Sequence, residues 1–106
     1  MRKVVLFKLK DSGMAQEYKY RHDHIWPEVI DVIRRSGIKN YSIWNIGDLL
    51  VGYYEIENDE KDKQSNRILL SEPKFLEWRK YMEDIIYIDD QGEKEYPMNL
   101  VFLMEF

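Results

Sequence analysis

Ile38-Lys39-Asn40-Tyr41-Ser42-Ile43-Trp44-Asn45-Ile46, then Gly47-Asp48, then Leu49-Leu50-Val51-Gly52-Tyr53-Tyr54-Glu55-Ile56-Glu57: the reading of this stretch decides the fold. Its first run alternates like a strand, with Ile38, Asn40, Ser42, Trp44 and Ile46 on one side and Lys39, Tyr41, Ile43 and Asn45 on the other. Gly47-Asp48 is a two-residue hairpin signal, and Leu49 to Glu57 returns as the second strand. Both strands carry apolar or aromatic residues on both faces, so neither face of their sheet is built for water.

Helical patterns flank the hairpin on each side. Toward the N-terminus, Glu28 to Ser36 has Val29, Ile30, Val32 and Ile33 apolar, Arg34-Arg35 in its last turn and Gly37 as its stop. Pro27 suits the first position of that helix and forces Trp26 into extended geometry, so an earlier helix from Met14 must stop near His22 or Asp23. Asp11-Ser12-Gly13 separates that helix from an opening strand, Arg2 to Lys10, with Val5, Phe7 and Leu9 on one face. Beyond the hairpin, the charged run from Asn58 opens a helix to about Leu70. Ser71-Glu72-Pro73 is a corner with Ser71 as N-cap, and Phe75, Trp78, Met82 and Ile85 mark the buried face of the next helix. Asp89 to Pro97 reads as a loop and Met98 to Phe106 as a final apolar strand.

The order βαββαβ over one domain, residues 1–106, predicts a ferredoxin-like α+β sandwich: a four-stranded antiparallel sheet with helices on one face. The other face would be bare, and packing two copies sheet to sheet as a dimer would bury it.

Composition narrows the function. No cysteine is present, which removes disulfides, thiolate metal sites and a cysteine nucleophile, and fits a cytoplasmic location. The net charge of −4, with no basic stripe, argues against nucleic acid as a partner. No apolar run approaches the ~20 residues that span a bilayer, so no membrane partner is expected. Eight tyrosines suit a neutral polar ligand or a broad interface.

The stretch Tyr18-Lys19-Tyr20-Arg21-His22-Asp23-His24-Ile25-Trp26-Pro27-Glu28 gathers the chain's chemistry. Its two histidines are two apart, not the i, i+4 spacing that converges on a metal. There is no Gly-x-Ser-x-Gly elbow and no glycine-rich phosphate loop. What remains is acid–base work by a histidine. His22 follows Tyr18 by one turn, which places their side chains together, and an imidazole exchanges protons at neutral pH. A buried structural histidine is the plainer alternative. Arg21 is expected to pair with Glu17, Trp26 to pack the corner, and His24 to lie at the surface or hinge.

Three runs, Tyr18-x-x-Arg21-His22-x-x-Ile25-Trp26-Pro27-Glu28, Gly37-x-x-Asn40-Tyr41-Ser42-Ile43 and Trp78-x-Lys80-Tyr81-Met82, resemble the L-rhamnose mutarotase family over nearly the whole chain. The resemblance implies an isomerase of carbohydrate metabolism, a homodimeric α+β barrel that interconverts the α and β anomers of a 6-deoxy sugar. It implies His22 as general acid and Tyr18, Tyr41 and Trp78 as sugar contacts, with Trp78 and Trp26 offering an apolar wall. No cofactor is implied, because no electrons or groups pass between molecules. Two positions depart from the family pattern. Arg79 stands where the family has a second tryptophan, which reshapes the pocket, shifts preference toward a sugar such as L-fucose, or turns outward. His24 stands in place of a proline. The competing readings are a haem-binding oxygenase on the same dimeric barrel and a non-enzymatic ligand-binding domain.

Overall fold

The structure, a computed structural model, describes residues 1–89, 92, 93 and 95–105. Its elements are β1 (Arg2–Lys8), α1 (Ala15–Asp23), α2 (Pro27–Arg35), β2 (Lys39–Ile46), β3 (Leu49–Glu55), α3 (Asp59–Ser71), α4 (Pro73–Met82), β4 (Ile88–Asp89), β5 (Gly92–Glu93) and β6 (Tyr96–Met98). β2, β3, β1 and β6 form one antiparallel sheet in that spatial order, and β4 and β5 pair separately. This is the ferredoxin-like α+β arrangement expected from the hairpin and its flanking helices.

Local signals account for the boundaries. Gly47 takes a positive φ of 58° at the first position of the two-residue turn, which pairs Ile46 with Leu49 and sets the register of the hairpin. Trp26 is extended at ψ 136° before Pro27, and Gly37 ends the α2 segment at φ 97°. Asn58 caps α3 by accepting from the Lys61 N–H at 2.9 Å. Phe7, Leu9, Tyr18, Val29, Leu50, Trp78, Met82, Ile85 and Ile86 close the core between sheet and helices.

Four expectations need correction. The last strand is not Met98 to Phe106: pairing runs over Tyr96–Met98 against Val4–Leu6, so Tyr96 and Pro97 come from the stretch read as a loop, only Met98 from the expected strand is paired, and residues 99–105 follow without regular structure. β1 continues through Lys3 and Arg2, but the ladder with β6 stops at Val4–Met98, so apolar content alone does not extend it. Phe106, and three residues of the expected loop (90, 91 and 94), lie outside the described residues. Ile85 is buried but sits in the turn after α4, and Ser71 closes α3, its hydroxyl donating to the Ile68 carbonyl, instead of capping α4.

The fourth correction concerns β2. Its register with β3 shifts between Lys39 and Ser42, where one extra residue is accommodated, and Asn40 there adopts φ 53°. Asparagine tolerates this left-handed conformation, and its side chain donates to Glu55 at 3.1 Å. The bulge breaks the two-residue alternation. Ile38, expected beside Trp44, instead lines the helix-side cavity with Tyr41 and Ile43.

Among the described residues no helix covers the opposite sheet face. Trp44, Val51, Leu6 and Tyr96 are aligned across it in one row and Ser42, Tyr53, Val4 and Met98 in the next. Trp44 is 68% exposed and Ile46 75%. Leu100, Val101, Phe102, Leu103 and Met104 are exposed as well. Their segment is tied back by the Glu105–Arg2 ion pair at 3.2 Å.

Candidate active site

α1 presents two similar ring pairs to two different environments. Tyr18 stacks on His22 at 4.2 Å between centroids, and Tyr20 lies against His24 at 4.3 Å. Two residues rotate a helix by about 200°, so one pair faces the core and the other faces solvent. Tyr18 is buried and His22 partly buried, whereas Tyr20 and His24 are exposed. His24 forms the C-cap of α1, the hinge position expected for it.

His22 is held on three sides. Its Nδ1 is 3.1 Å from the Tyr18 carbonyl oxygen, its ring stacks on Tyr18, and the Trp78 indole meets it edge-on at 5.4 Å. A carbonyl only accepts, so in the neutral ring Nδ1 carries the proton and Nε2 keeps its lone pair. Burial is the main influence on its pKa and pushes it below the ordinary value of 6.5, outweighing the Tyr18 carbonyl and Asp23, which favour the cation. At neutral pH the side chain is therefore a base.

α1 is fixed to the end of α4 by Arg21. The guanidinium donates to Glu17 at 2.9 Å, to both Asp84 oxygens at 2.7 and 3.1 Å, and to the Tyr81 carbonyl at 2.7 Å, and it lies 4.4 Å from the Tyr81 ring centroid. The expected Glu17 pair is thus one part of a larger clamp. Trp26 stacks on Tyr81 and meets Trp78 edge-on at 5.3 Å, which makes it a packing residue of the corner.

A cavity of about 400 Å³ lies between the sheet and the helices, within the range of small-molecule sites. Tyr18, His22, Tyr41, Trp78 and Arg79 all line it, so all five residues singled out from sequence share one space. A second cavity, about 580 Å³, shares Tyr18, His22, Tyr41 and Ile43 with the first, so these residues stand where the two meet. Trp78 is only 6% exposed and offers the cavity little more than an edge. Arg79 is half-buried, and among the described residues no carboxylate pairs with it. Gly52 sits between the cavity-lining Val5 and Ile43 in one row of the sheet. A Cβ there would press on Val5 Cγ2 at 3.3 Å and touch the Tyr41 hydroxyl at 3.5 Å, so the bare backbone leaves room for both side chains over the sheet.

Comparison with known proteins decides the family. A family model described as L-rhamnose mutarotase matches residues 2–104. The chain belongs to the L-rhamnose mutarotase family. Among its relatives, L-rhamnose mutarotase of Tolumonas auensis is 39% identical over 88 residues, covering 81% of this chain and 80% of that one. The Flavobacterium johnsoniae L-rhamnose mutarotase is 32% identical over 108 residues, covering 99% and 96%. The crystal structure of L-rhamnose mutarotase from Formosa agariphila superposes with a TM-score of 0.83 at 27% identity, covering 99% of each chain. A dimeric ferredoxin-like protein from an uncultured marine organism matches in fold alone, with a TM-score of 0.66 at 13% identity and coverage of 99% and 96%.

Sequence reasoning missed Tyr54, Asn66 and Glu95, which also line the mutarotase-family cavity. For Tyr54 a signal was present. A two-residue turn at Gly47-Asp48 places Tyr54 opposite Tyr41 on the same face, and the two rings stack at 5.9 Å and 14°.

Proposed function

We propose that the chain is an L-rhamnose mutarotase in which His22 carries the proton exchange. The observation that supports this most directly is the bonding of His22, whose Nδ1–H is committed to the Tyr18 carbonyl while the ring lines the cavity. As the sugar ring opens, Nε2 takes the C1 hydroxyl proton and the ring oxygen gains a proton from a hydroxyl of the cleft. The C1–C2 bond of the aldehyde rotates. On closure the ring-oxygen hydroxyl attacks C1 and returns its proton to the cleft hydroxyl, while the imidazolium is the general acid that returns a proton to the C1 oxygen. Tyr18 and Tyr41 hold sugar hydroxyls, and Trp78 and Ile43 supply apolar surface. Arg79 brings a cationic donor to the same cavity, with no carboxylate paired to it among the described residues, which favours a changed sugar preference, with L-fucose the first alternative to compare.

The test is saturation-transfer NMR of freshly dissolved L-rhamnose and L-fucose with the purified protein. Faster exchange of L-rhamnose anomers is expected, and no acceleration of either sugar removes the reading. The rate should fall on the acid side with its midpoint below 6.5, because burial delays protonation of the base. An acid limb centred at or above pH 7 would contradict that assignment. The same shift acts on folding. As pH falls from about 6.5 toward the depressed folded pKa, the unfolded chain takes up the His22 proton first and stability declines.

We further infer a cytoplasmic homodimer, formed through the sheet face of Leu6, Trp44, Ile46, Val51 and Met98 and the apolar 99–104 segment. Contiguous exposed apolar area of this kind is rare on a monomer. Light scattering should give twice the 13.0 kDa chain mass for the wild type and a single chain mass for Trp44→Glu. A wild-type monomer at micromolar concentration would refute it.

A further inference from the structure

The cavity has a second polar end, remote from His22. Lys3 and Tyr54 are register partners, whereas Phe7, two sheet rows away, lies under Tyr18 with ring centroids 6.4 Å apart. Lys3 and Phe7 stand four residues apart on β1, about 13 Å along the strand. Between these rows lies the row of Val5, Gly52 and Ile43, with no side chain at its centre. The cavity thus runs over a low floor, with Tyr18 and His22 toward one end and Tyr54 toward the other.

Tyr54 is held in a particular hydrogen-bonding state. Its hydroxyl donates to Asp62 Oδ1 at 2.7 Å, and Asp62 is 3.6 Å from the Lys3 ammonium, which also reaches Asp59 at 3.7 Å. The Asp62 side chain is only 14% exposed. With the hydroxyl donating to Asp62, the phenol proton is committed and the phenol oxygen has only lone pairs to offer. Burial and Asp62 push the Tyr54 pKa up, which keeps the phenol protonated. Tyr41 stacks on the ring and fixes its plane.

We propose that Tyr54 is a specificity-determining residue whose phenol oxygen accepts a hydrogen bond from a hydroxyl on the C3–C4 edge of the sugar. The inference rests on the mutarotase reading, which brings the C1–O5 bond to His22. In a pyranose the C3–C4 bond is diametrically opposite C1–O5, so that edge is the one directed toward the far end of the cavity. An acceptor whose proton is already engaged admits a hydroxyl donor there and disfavours a bare C–H.

The experiment compares wild type and Tyr54→Phe on L-rhamnose, 3-deoxy-L-rhamnose and 4-deoxy-L-rhamnose. Phenylalanine keeps the ring that stacks on Tyr41 and removes only the oxygen. Wild type is expected to lose about tenfold in kcat/KM on at least one deoxy sugar. Tyr54→Phe is expected to lose about tenfold on L-rhamnose, mainly through KM, and to treat that deoxy sugar and L-rhamnose alike. A Tyr54→Phe enzyme within twofold of wild type on L-rhamnose, or one that keeps the wild-type penalty on the deoxy sugars, overturns the proposal. If wild type binds L-rhamnose without speeding exchange, the mutarotase reading fails while the same comparison of Kd values decides the role of Tyr54. No binding by wild type overturns both.

Discussion

Replacing His22 by alanine is expected to slow catalysed anomer exchange by about 10²–10⁴-fold, the usual contribution of a positioned acid–base group. The loss should fall on kcat more than on KM, because Tyr18, Tyr41 and Arg79 still line the cavity in the variant. His22→Asn is the sharper control. Its side-chain amide can still donate to the Tyr18 carbonyl in place of Nδ1–H, but it has no proton to exchange near neutrality. Saturation-transfer NMR on wild type and both variants reads the result directly. Rates within threefold of wild type for either substitution would take His22 out of the mechanism while leaving the mutarotase assignment intact.

Trp78→Ala is expected to destabilise the fold by about 3–5 kcal/mol, the usual cost of deleting a buried large aromatic ring. Trp78 is 6% exposed and touches three rings, with centroid distances of 5.4 Å to His22, 5.3 Å to Trp26 and 5.7 Å to Tyr81. These partners belong to α1, to the α1–α2 corner and to α4 itself, so the indole joins three pieces that frame the cavity. Against a total stability of about 5–15 kcal/mol for a typical domain, the loss is large. A urea titration should show a lower midpoint with an unchanged slope, and thermal unfolding should fall by more than about 10 °C. Trp78→Phe should recover much of the loss. A change below about 1 kcal/mol for Trp78→Ala would mean that the ring is not a packing centre for these three pieces.

The parts of the fold that follow local rules were readable in advance. Pro27 after Trp26 marked the corner, Gly47-Asp48 marked the hairpin, and Asn58 marked the start of α3. Each constrains only its immediate neighbours, which is why one sequence suffices to read it. The misplaced final strand depends on a partner distant in sequence, whereas Ser71 is decided within its own helix by the Ile68 carbonyl. The apolar run after Met98 announces surface to be covered, but a ladder also needs an opposing backbone, and β1 pairs with β6 only over Val4–Leu6. The site shows the same division. Tyr18 and His22 share a helix face and could be paired by spacing, whereas the Tyr54–Asp62–Lys3 chain joins three elements and has no signature in any one of them.

The bulge at Asn40 divides β2 into two independently phased halves. From Ser42 to Ile46 the strand follows the hairpin register, which assigns Trp44 and Ile46 to the uncovered sheet face. Before Asn40 the phase is reset, and Ile38 joins the wall of the cavity. Substitutions that tune the association surface and substitutions that reshape the pocket entrance can therefore accumulate along one strand without forcing each other. A single-residue deletion at the bulge would remove that freedom, coupling the two surfaces through an ordinary alternating strand.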